Sequence, residues 1–396
     1  MANSNLTNAK NAKNDEFYTQ WVDIENEINA YLNLDPDVFK GKTILCPCDD
    51  PYESNFFKYF ALRFYDLQLK KLIATCYAGS PIANKQLSLF PDESEEVKTT
   101  RNPHKIEITE IPDMNNDGAV NLYDVQLLLA SDRNHLTRLK GNGDFRSKEI
   151  KQLRDEADII ITNPPFSLFR EFLTWIMEAN KQFLIIGSKN AITYKEVFPL
   201  IKDNKMWIGA ASFNKDMLFI PPEEIRQGDK PSTATRIVDG KVYLRSPSVW
   251  FTNIDHGRRH QPLPLMLIKD NLRYNKKLKG KVFYDRYDNY DAIEIPYTES
   301  IPSNYYGVMG VPVSFLDKYS PEQFEIMGMC ENLDLYKLKT KTYSSFECQQ
   351  AYLKKFGKKG TYDLNASGVI IDNGLLEKVY QRILIRHKKN PHENNA

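Results

Sequence analysis

Ala157-Asp158-Ile159-Ile160-Ile161-Thr162-Asn163-Pro164-Pro165-Phe166 is the stretch on which the fold turns. Three consecutive isoleucines give a short β-branched run with no polar face, the pattern of a parallel strand covered by helices on both sides. The run stops at Asn163-Pro164-Pro165, where two fixed φ angles and two missing N–H groups block both strand continuation and immediate helix formation. Phe166, Leu168, Phe169, Phe172 and Leu173 then recur at helical spacing, with Ser167 placed to cap the helix. The reading is a rigid polar loop at the carboxyl end of a central strand, where open α/β sheets bind their ligands.

Such a loop offers definite chemistry. The Asn163 side-chain oxygen and the Pro164 carbonyl are two acceptors with little conformational freedom, which suits a single NH₂ group. If that group is the exocyclic amine of a base, accepting both hydrogens raises electron density on nitrogen and favours attack on an electrophilic methyl. Phe166 offers a face for stacking, worth roughly 1–3 kcal/mol per base. The plainer reading is a Pro-rich turn with a core Phe; the strand before and the helix after favour the chemical one.

Working outward, the chain repeats the strand–helix alternation. Gly41-Lys42-Thr43-Ile44-Leu45-Cys46 reads as turn then strand, Asn55-Phe56-Phe57-Lys58-Tyr59-Phe60 as helix, and Lys71-Leu72-Ile73-Ala74-Thr75-Cys76-Tyr77 as a second strand. Gln182-Phe183-Leu184-Ile185-Ile186-Gly187 continues the series, so a doubly wound α/β sheet is the economical fold. Asp49 and Asp50 fall at the carboxyl end of the first strand, where a nucleoside cofactor is held at a switch point; the alternative is a hydrated acidic turn. Gly41-Lys42-Thr43 is no phosphate loop, since position 36 is Pro and the triplet enters a strand instead of leaving one. The segments 206–209, 218–220 and 249–254 are expected to complete the sheet.

Between about residues 79 and 140 the alternation breaks, which reads as an insertion. Within it, Asp113, Asn115, Asp117, Ala119, Asn121 and Asp124 occupy positions 1, 3, 5, 7, 9 and 12 of a loop with Gly118 at position 6. This spacing fits a calcium loop and resembles one repeat of a dockerin module; the alternative is an Asn/Asp/Gly turn before a helix. Gly143-Asp144-Phe145-Arg146 is a polar turn whose Asp144 is placed either to face a cofactor amino group or simply to form the turn.

The 396 residues are 41% hydrophobic, and 53 Lys plus Arg nearly cancel 52 Asp plus Glu, so whole-chain charge identifies no partner. Five thinly spread cysteines, without metal-ligand spacing, read as reduced core residues. No stretch approaches the ~20 apolar residues of a membrane span, and the protein is expected in the cytoplasm. Residues 1–14 read as a flexible tail. Residues 15–255 then form the catalytic α/β domain, and from 256 to 396 the alternation fades and charge segregates. Basic runs at 269–281, 354–359 and 382–389 are suited to phosphate contact, or are simply solvated faces.

Several blocks in order resemble the EcoRI-type adenine-specific DNA methyltransferases. They include Asp15-Glu16-Phe17-Tyr18-Thr19-Gln20, Cys48-Asp49-Asp50-Pro51, SNFFKYFA at 54–61, LKKLIA at 69–74, GDFRS at 143–147 and TNPPFSLF at 162–169. Further blocks are ITYKEVF at 192–198, YDNYDAI at 287–293 and GVMGVP at 307–312. The resemblance implies a Rossmann-like domain that binds S-adenosylmethionine, followed by a DNA target-recognition region. It implies Phe17, Tyr18 and Thr19 against the methionine part of the cofactor, Asp49 and Asp50 near its methionine and ribose, and Asp144 and Phe145 by its adenine. Asn163, Pro164, Pro165 and Phe166 would receive an adenine flipped from duplex DNA. It further implies a monomer, a bacterial or phage origin with nucleoid association, and a cognate restriction endonuclease as partner. The rivals are N4-cytosine, RNA or protein-glutamine methylation, and a non-catalytic DNA-binding or calcium-dependent adaptor.

Overall fold

The computed structural model describes residues 18–51, 54–76, 103–130, 136–220, 235–238 and 240–388. The expected tail at 1–14, Phe17, and parts of the 79–140 segment lie outside the described residues. The chain divides into two compact units, Met1–Gly257 and Arg258–Ala396.

In the first unit, in chain order, the strands are β1 (Tyr18–Thr19), β2 (Thr43–Cys46), β3 (Lys71–Thr75), β4 (His104–Ile108), β5 (Leu136–Arg138) and β6 (Ile159–Thr162). They continue with β7 (Gln182–Ser188), β8 (Trp207–Ile208), β9 (Met217–Ile220), β10 (Thr235–Val238), β11 (Lys241–Ser246) and β12 (Ser248–Thr252). Eight of them form a mixed sheet ordered β5-β4-β3-β2-β6-β7-β12-β8. Its centre, β3-β2-β6-β7, is parallel, with Ile44 opposite Ile159 and Ile160 opposite Phe183. All four residues of β2 and of β6 are buried, as a parallel sheet covered on both faces requires. The chain runs from β2 out to β3, then returns to place β6 on the other side of β2, so the carboxyl ends of β2 and β6 flank a switch point.

Helices α1 (Trp21–Leu32), α2 (Asn55–Leu62), α3 (Leu122–Ala130), α4 (Lys148–Glu156), α5 (Phe169–Glu178) and α6 (Phe198–Lys202) accompany these strands. Helix α5 buries Phe169, Phe172, Leu173, Trp175 and Ile176, one face at 3.6-residue spacing. Gly187 of β7 admits the Phe169 ring where a Cβ would collide with it. The expected Ser167 cap is not formed: a 3₁₀ turn at Phe166–Leu168 intervenes, and α5 starts without a side-chain cap. The two prolines supply the preset φ there, and the Leu168 N–H donates to the Pro165 carbonyl.

Two expectations need correction. Residues 218–220 do not complete the main sheet; they lie in β9, which belongs to a separate antiparallel sheet ordered β1-β9-β11-β10. The 79–140 segment is not purely an insertion, since β4 and β5 pair antiparallel onto the edge of β3 and extend the sheet. Both arise from pairings between residues far apart in sequence, which periodicity does not encode. Among the described residues, no helix is long and apolar enough to cross a membrane.

The second unit contains β13 (Ala292–Glu294), β14 (Val308–Pro312), β15 (Phe324–Met329) and β18 (Arg382–His387) in the order β13-β14-β18-β15, with a hairpin of β16 (Val369–Asp372) and β17 (Leu375–Lys378). Its helices include α7 (Ile268–Tyr274) and α8 (Ser345–Phe356). Ser344 and Glu347 form a capping box at the start of α8, and Gly357 ends it at φ 66°.

Candidate active site

Thr162, the last residue of β6, donates a hydrogen bond through Oγ1 to Asp49 Oδ2 at 2.5 Å. Asp49 follows β2, so this bond bridges the switch point across 113 residues of sequence. The other carboxylate oxygen of Asp49 accepts from Ser54 Oγ at 2.6 Å. Ser54 is the N-cap of α2, its hydroxyl accepting from the Phe56 and Phe57 amides. The next residue, Asn55, donates through Nδ2 to the Thr19 carbonyl at 2.7 Å. Thr19 pairs with Phe219 across β1 and β9, and Phe219 meets Phe166 edge-on at 6.5 Å between ring centroids.

These contacts close a ring: Thr19, Asn55 with Ser54, Asp49, Thr162, the Asn163 loop, Phe166, Phe219, and back to Thr19. Asn163 and Pro164 are buried and Pro165 and Phe166 half-buried, and Asn163 Oδ1 is sealed from solvent. The sequence-expected Thr19, Asp49, Asn163 and Phe166 are thus brought together by contacts the sequence did not reveal. Ser54, Asn55, Thr162 and Phe219 were missed. Only Ser54 carried a readable signal, as an N-cap ahead of an aromatic helix.

Burial pushes the Asp49 carboxyl up to about 6, against the lowering effect of the Ser54 and Thr162 hydrogen bonds, with the Asp50 charge adding to the rise. Asp50 is also buried, and a carboxylate oxygen of it lies within 4.8 Å of Cys76 Sγ and a His104 ring nitrogen. Among the described residues this is where His, Cys and acidic groups converge as a metal set would. Cys76 Sγ lies 3.1 Å from His104 Nδ1 and 3.6 Å from Nε2, a thiol–imidazole pair beside the Asp50 carboxylate. It forms a polar wall at the carboxyl ends of β2 and β3, beside β4.

Asp144 and Phe145 are wired differently. Arg146 holds Asp144 bidentately, Nε to Oδ1 at 2.8 Å and Nη2 to Oδ2 at 2.6 Å. The Phe145 ring packs edge-on against Phe172 and Trp175 of α5 at 5.1 and 5.7 Å. Arg146 also reaches Glu171 of α5 at 2.9 Å, so this turn is tied to that helix. Tyr18 enters β1 through its backbone.

The first half of the 113–124 loop is a turn in which side-chain oxygens accept from the loop's own amides. Asp113 accepts from the Asp117 and Gly118 amides at 3.2 and 2.8 Å, Asn115 Oδ1 from the Asp117 amide at 3.0 Å, and Asp117 from the Ala119 amide at 2.9 Å. Gly118 adopts φ 86°, as position 6 requires. Position 12 departs from the pattern. Asp124 accepts from the Met114 and Asn121 amides at 2.8 Å, one through each oxygen, which holds its carboxyl below the usual range. Asn121 in turn accepts from the Tyr123 amide.

In the second unit Arg382 is buried and paired with Glu294 at 2.6 Å, with the Tyr287 hydroxyl also donating to Glu294. This corrects the reading of the 382–389 run as a phosphate-facing cluster at its first residue: Arg382 serves the core. Arg386 pairs with Glu325 at 2.8 Å, and Lys389 lies outside the described residues. Lys276, Lys279, Lys354, Lys358 and Lys359 are exposed.

A family model described as adenine-specific methyltransferase EcoRI matches residues 5–388. The chain is 41% identical over 334 residues to the Type II methyltransferase M.EcoRI of Escherichia coli, covering 84% of this chain and 91% of the relative. It is 35% identical over 338 residues to the Type II methyltransferase M.MpnI of Mycoplasma pneumoniae, covering 85% and 89%. A third relative, Type II methyltransferase M.MgeORF184P of Mycoplasma genitalium, is 33% identical over 325 residues, covering 82% and 86%. No solved structure matches.

Proposed function

The chain belongs to the EcoRI family of adenine-specific methyltransferases, and from that premise we propose that it methylates N6 of an adenine rotated out of duplex DNA into the Asn163 loop. Membership implies S-adenosylmethionine as methyl donor, and the residues at the switch point fit it. Two carboxylates at the end of β2 suit an ammonium and ribose hydroxyls, and the Rossmann-like reading of the central parallel strands supports the same placement. The bound cofactor supplies the electrophilic methyl carbon.

In this reading Asn163 and the Pro164 carbonyl accept the two hydrogens of the adenine amine, and Phe166 stacks on the base. Their contribution is orientation and electron density on nitrogen, with no general base required. Asp49 and Asp50, with Tyr18 and Thr19, hold the cofactor side; Phe17 is assigned there by family resemblance alone. Asp144 and Phe145 are assigned beside the cofactor's adenine by family resemblance, with Arg146 holding the Asp144 carboxylate. The observation that carries the reading is the Thr162–Asp49 bond, which ties the base-binding loop to the acidic strand end.

We assign residues 15–255 to catalysis and 256–396 to target recognition, with the exposed lysines of the second unit as phosphate contacts. The protein then acts as a monomer in a restriction–modification pair with a cognate endonuclease. The first half of the 113–124 loop fits a calcium ion through hard oxygen donors; bidentate ligation by Asp124 requires it to release backbone amides. The test is incubation with methyl-labelled S-adenosylmethionine and unmethylated duplex DNA, followed by base analysis. Label in N6-methyladenine supports the reading; label in cytosine, or none, overturns it.

A further inference from the structure

Three segments of the first unit bring soft and hard donors to one point. Strands β3 and β4 run antiparallel with Thr75 opposite Lys105, and the next step of the ladder brings Cys76 to His104. The Cys76 amide donates to the His104 carbonyl at 3.1 Å, and the His104 amide to Cys76 Sγ at 3.5 Å. Facing residues of an antiparallel pair send their side chains to the same face of the sheet, so thiol and imidazole meet. Asp50 arrives from β2, the other neighbour of β3. The Thr75 hydroxyl donates to the Pro47 carbonyl at 3.0 Å, holding the loop after β2 against the end of β3. The Asp50 carbonyl then accepts from the Ser54 amide at 2.8 Å, which fixes its backbone ahead of α2.

A carboxylate oxygen of Asp50, Cys76 Sγ and a His104 ring nitrogen all lie within 4.8 Å of one another. Cys76 is 2% exposed and Asp50 7% exposed. A thiolate or carboxylate is costly to hold in such a place unless a cation or hydrogen bonds compensate it. The donor types decide the ion. Thiolate and imidazole with one carboxylate favour zinc over magnesium or calcium, which take oxygen ligands. Zinc bonds of ~2.3 Å to sulfur and ~2.0–2.1 Å to nitrogen put two such donors about 3.6 Å apart at the tetrahedral angle. Cys76 Sγ stands 3.6 Å from His104 Nε2. Three protein ligands leave a fourth position for solvent, the arrangement of an open site and not of a closed structural one.

We propose that Asp50, Cys76 and His104 form a zinc site whose ion competes with the methyl donor. The competition rests on the reading above in which Asp50 faces the cofactor; the site itself rests on the geometry of the three donors. On binding, the Cys76 thiol gives its proton to solvent and its sulfur bonds the ion, while His104 binds as the neutral imidazole. Asp50 gives an oxygen to the ion. Its charge is then neutralised by zinc, and the carboxylate is no longer available to the cofactor. Zinc thereby acts as a brake on methyl transfer.

Cobalt(II), which takes the place of zinc at such sites and is coloured there, is the probe. Titration of the reduced, cofactor-free protein should reach one equivalent with a thiolate-to-cobalt charge-transfer band, which zinc should bleach. Cys76→Ala and Cys76→Ser should both abolish the band; the serine keeps the size of the side chain and loses only the soft donor. His104→Ala and Asp50→Asn should each weaken cobalt binding about ten-fold or more. Zinc should raise the unfolding temperature of the wild-type protein and not that of Cys76→Ser. Equilibrium dialysis with labelled S-adenosylmethionine reads the competition. One bound zinc should lower wild-type cofactor affinity about ten-fold or more and should leave Cys76→Ser unmoved. No thiolate band, or a band that persists in Cys76→Ser, would overturn the site. Zinc-free Asp50→Asn separates the two readings. Unchanged cofactor binding in that variant faults the placement of Asp50 at the cofactor, whereas weakened binding there, with bound zinc still without effect on the wild type, overturns the competition.

Discussion

The site at the end of β6 and the loop at 113–124 are both held by short polar side chains, yet they are wired in opposite ways. In the first, Thr162 reaches Asp49 across 113 residues and Asn55 reaches Thr19 across 36, and the carboxylate between them is buried. In the second, every hydrogen bond described above spans ten residues or fewer and most end on backbone amides. A loop wired locally satisfies itself in any setting. A loop wired through a buried carboxylate exists only when the whole sheet is assembled, and it keeps a charge in a place that disfavours charge. That is the pattern of a site held ready for a ligand at some expense of stability.

Substitutions should separate the two loops by size of effect. Asn163→Ala removes an acceptor at the proposed reaction centre and is expected to lower methyl transfer by about 10²-fold or more, with duplex binding within a few-fold; a labelled-methyl assay beside a filter-binding titration checks both. Asp49→Asn comes next. Because the folded-state carboxyl sits near pH 6, above its ordinary value, the folded protein binds more protons than the unfolded chain between about pH 4 and 6. Stability from this group is therefore full at low pH and is lost as pH rises through about 6. The amide should unfold at higher temperature at pH 7, by up to ~3 kcal/mol in free energy, while binding cofactor about ten-fold or more weakly. Calorimetry and equilibrium dialysis read the two halves, and a destabilised Asp49→Asn would count against the buried-charge argument. The smallest effect belongs to the local loop. Asp113→Ala should leave methyl transfer within about two-fold and should cancel any calcium-dependent rise in unfolding temperature.

How much of this was legible in sequence follows the same division. The Ile159-Ile160-Ile161 strand, the proline stop and the helix after it are local patterns, and all three are formed. So are β2, β3 and β7. The partners of those strands were not legible. Residues 218–220 have the composition of a main-sheet strand, but their pairing with Thr19 and with β11 takes them elsewhere. Glu27 of α1 is fully buried, accepting from the Ala210 and Ala211 amides and the Tyr31 hydroxyl, partners that no local pattern reveals. Gly209 has no Cβ because that carboxylate fills the space. Arg382 looked like part of a basic face and is a core ion pair. The Asp50, Cys76 and His104 grouping draws on three separate segments, and no spacing rule could assemble it. At the candidate site Asn163 and Pro164 are proposed from sequence because Asn and Pro carry their acceptors locally. The hydroxyls that hold Asp49 were not legible, because a Thr at a strand end says nothing about what lies across the sheet.

The central claim is that Thr162 acts through Asp49 to couple the base loop to the cofactor side. A double-mutant cycle on Thr162→Val and Asp49→Asn, followed as kcat/KM for cofactor against pH, tests it most directly. The Thr162 hydroxyl lowers the Asp49 carboxyl, so Thr162→Val alone should move the acid limb of the profile above about 6, with the loss greatest near pH 6 and small by about pH 8. In the Asp49→Asn background the same change should add little and should move no limb. Losses that multiply across the cycle, or an unmoved acid limb in Thr162→Val, would contradict the account.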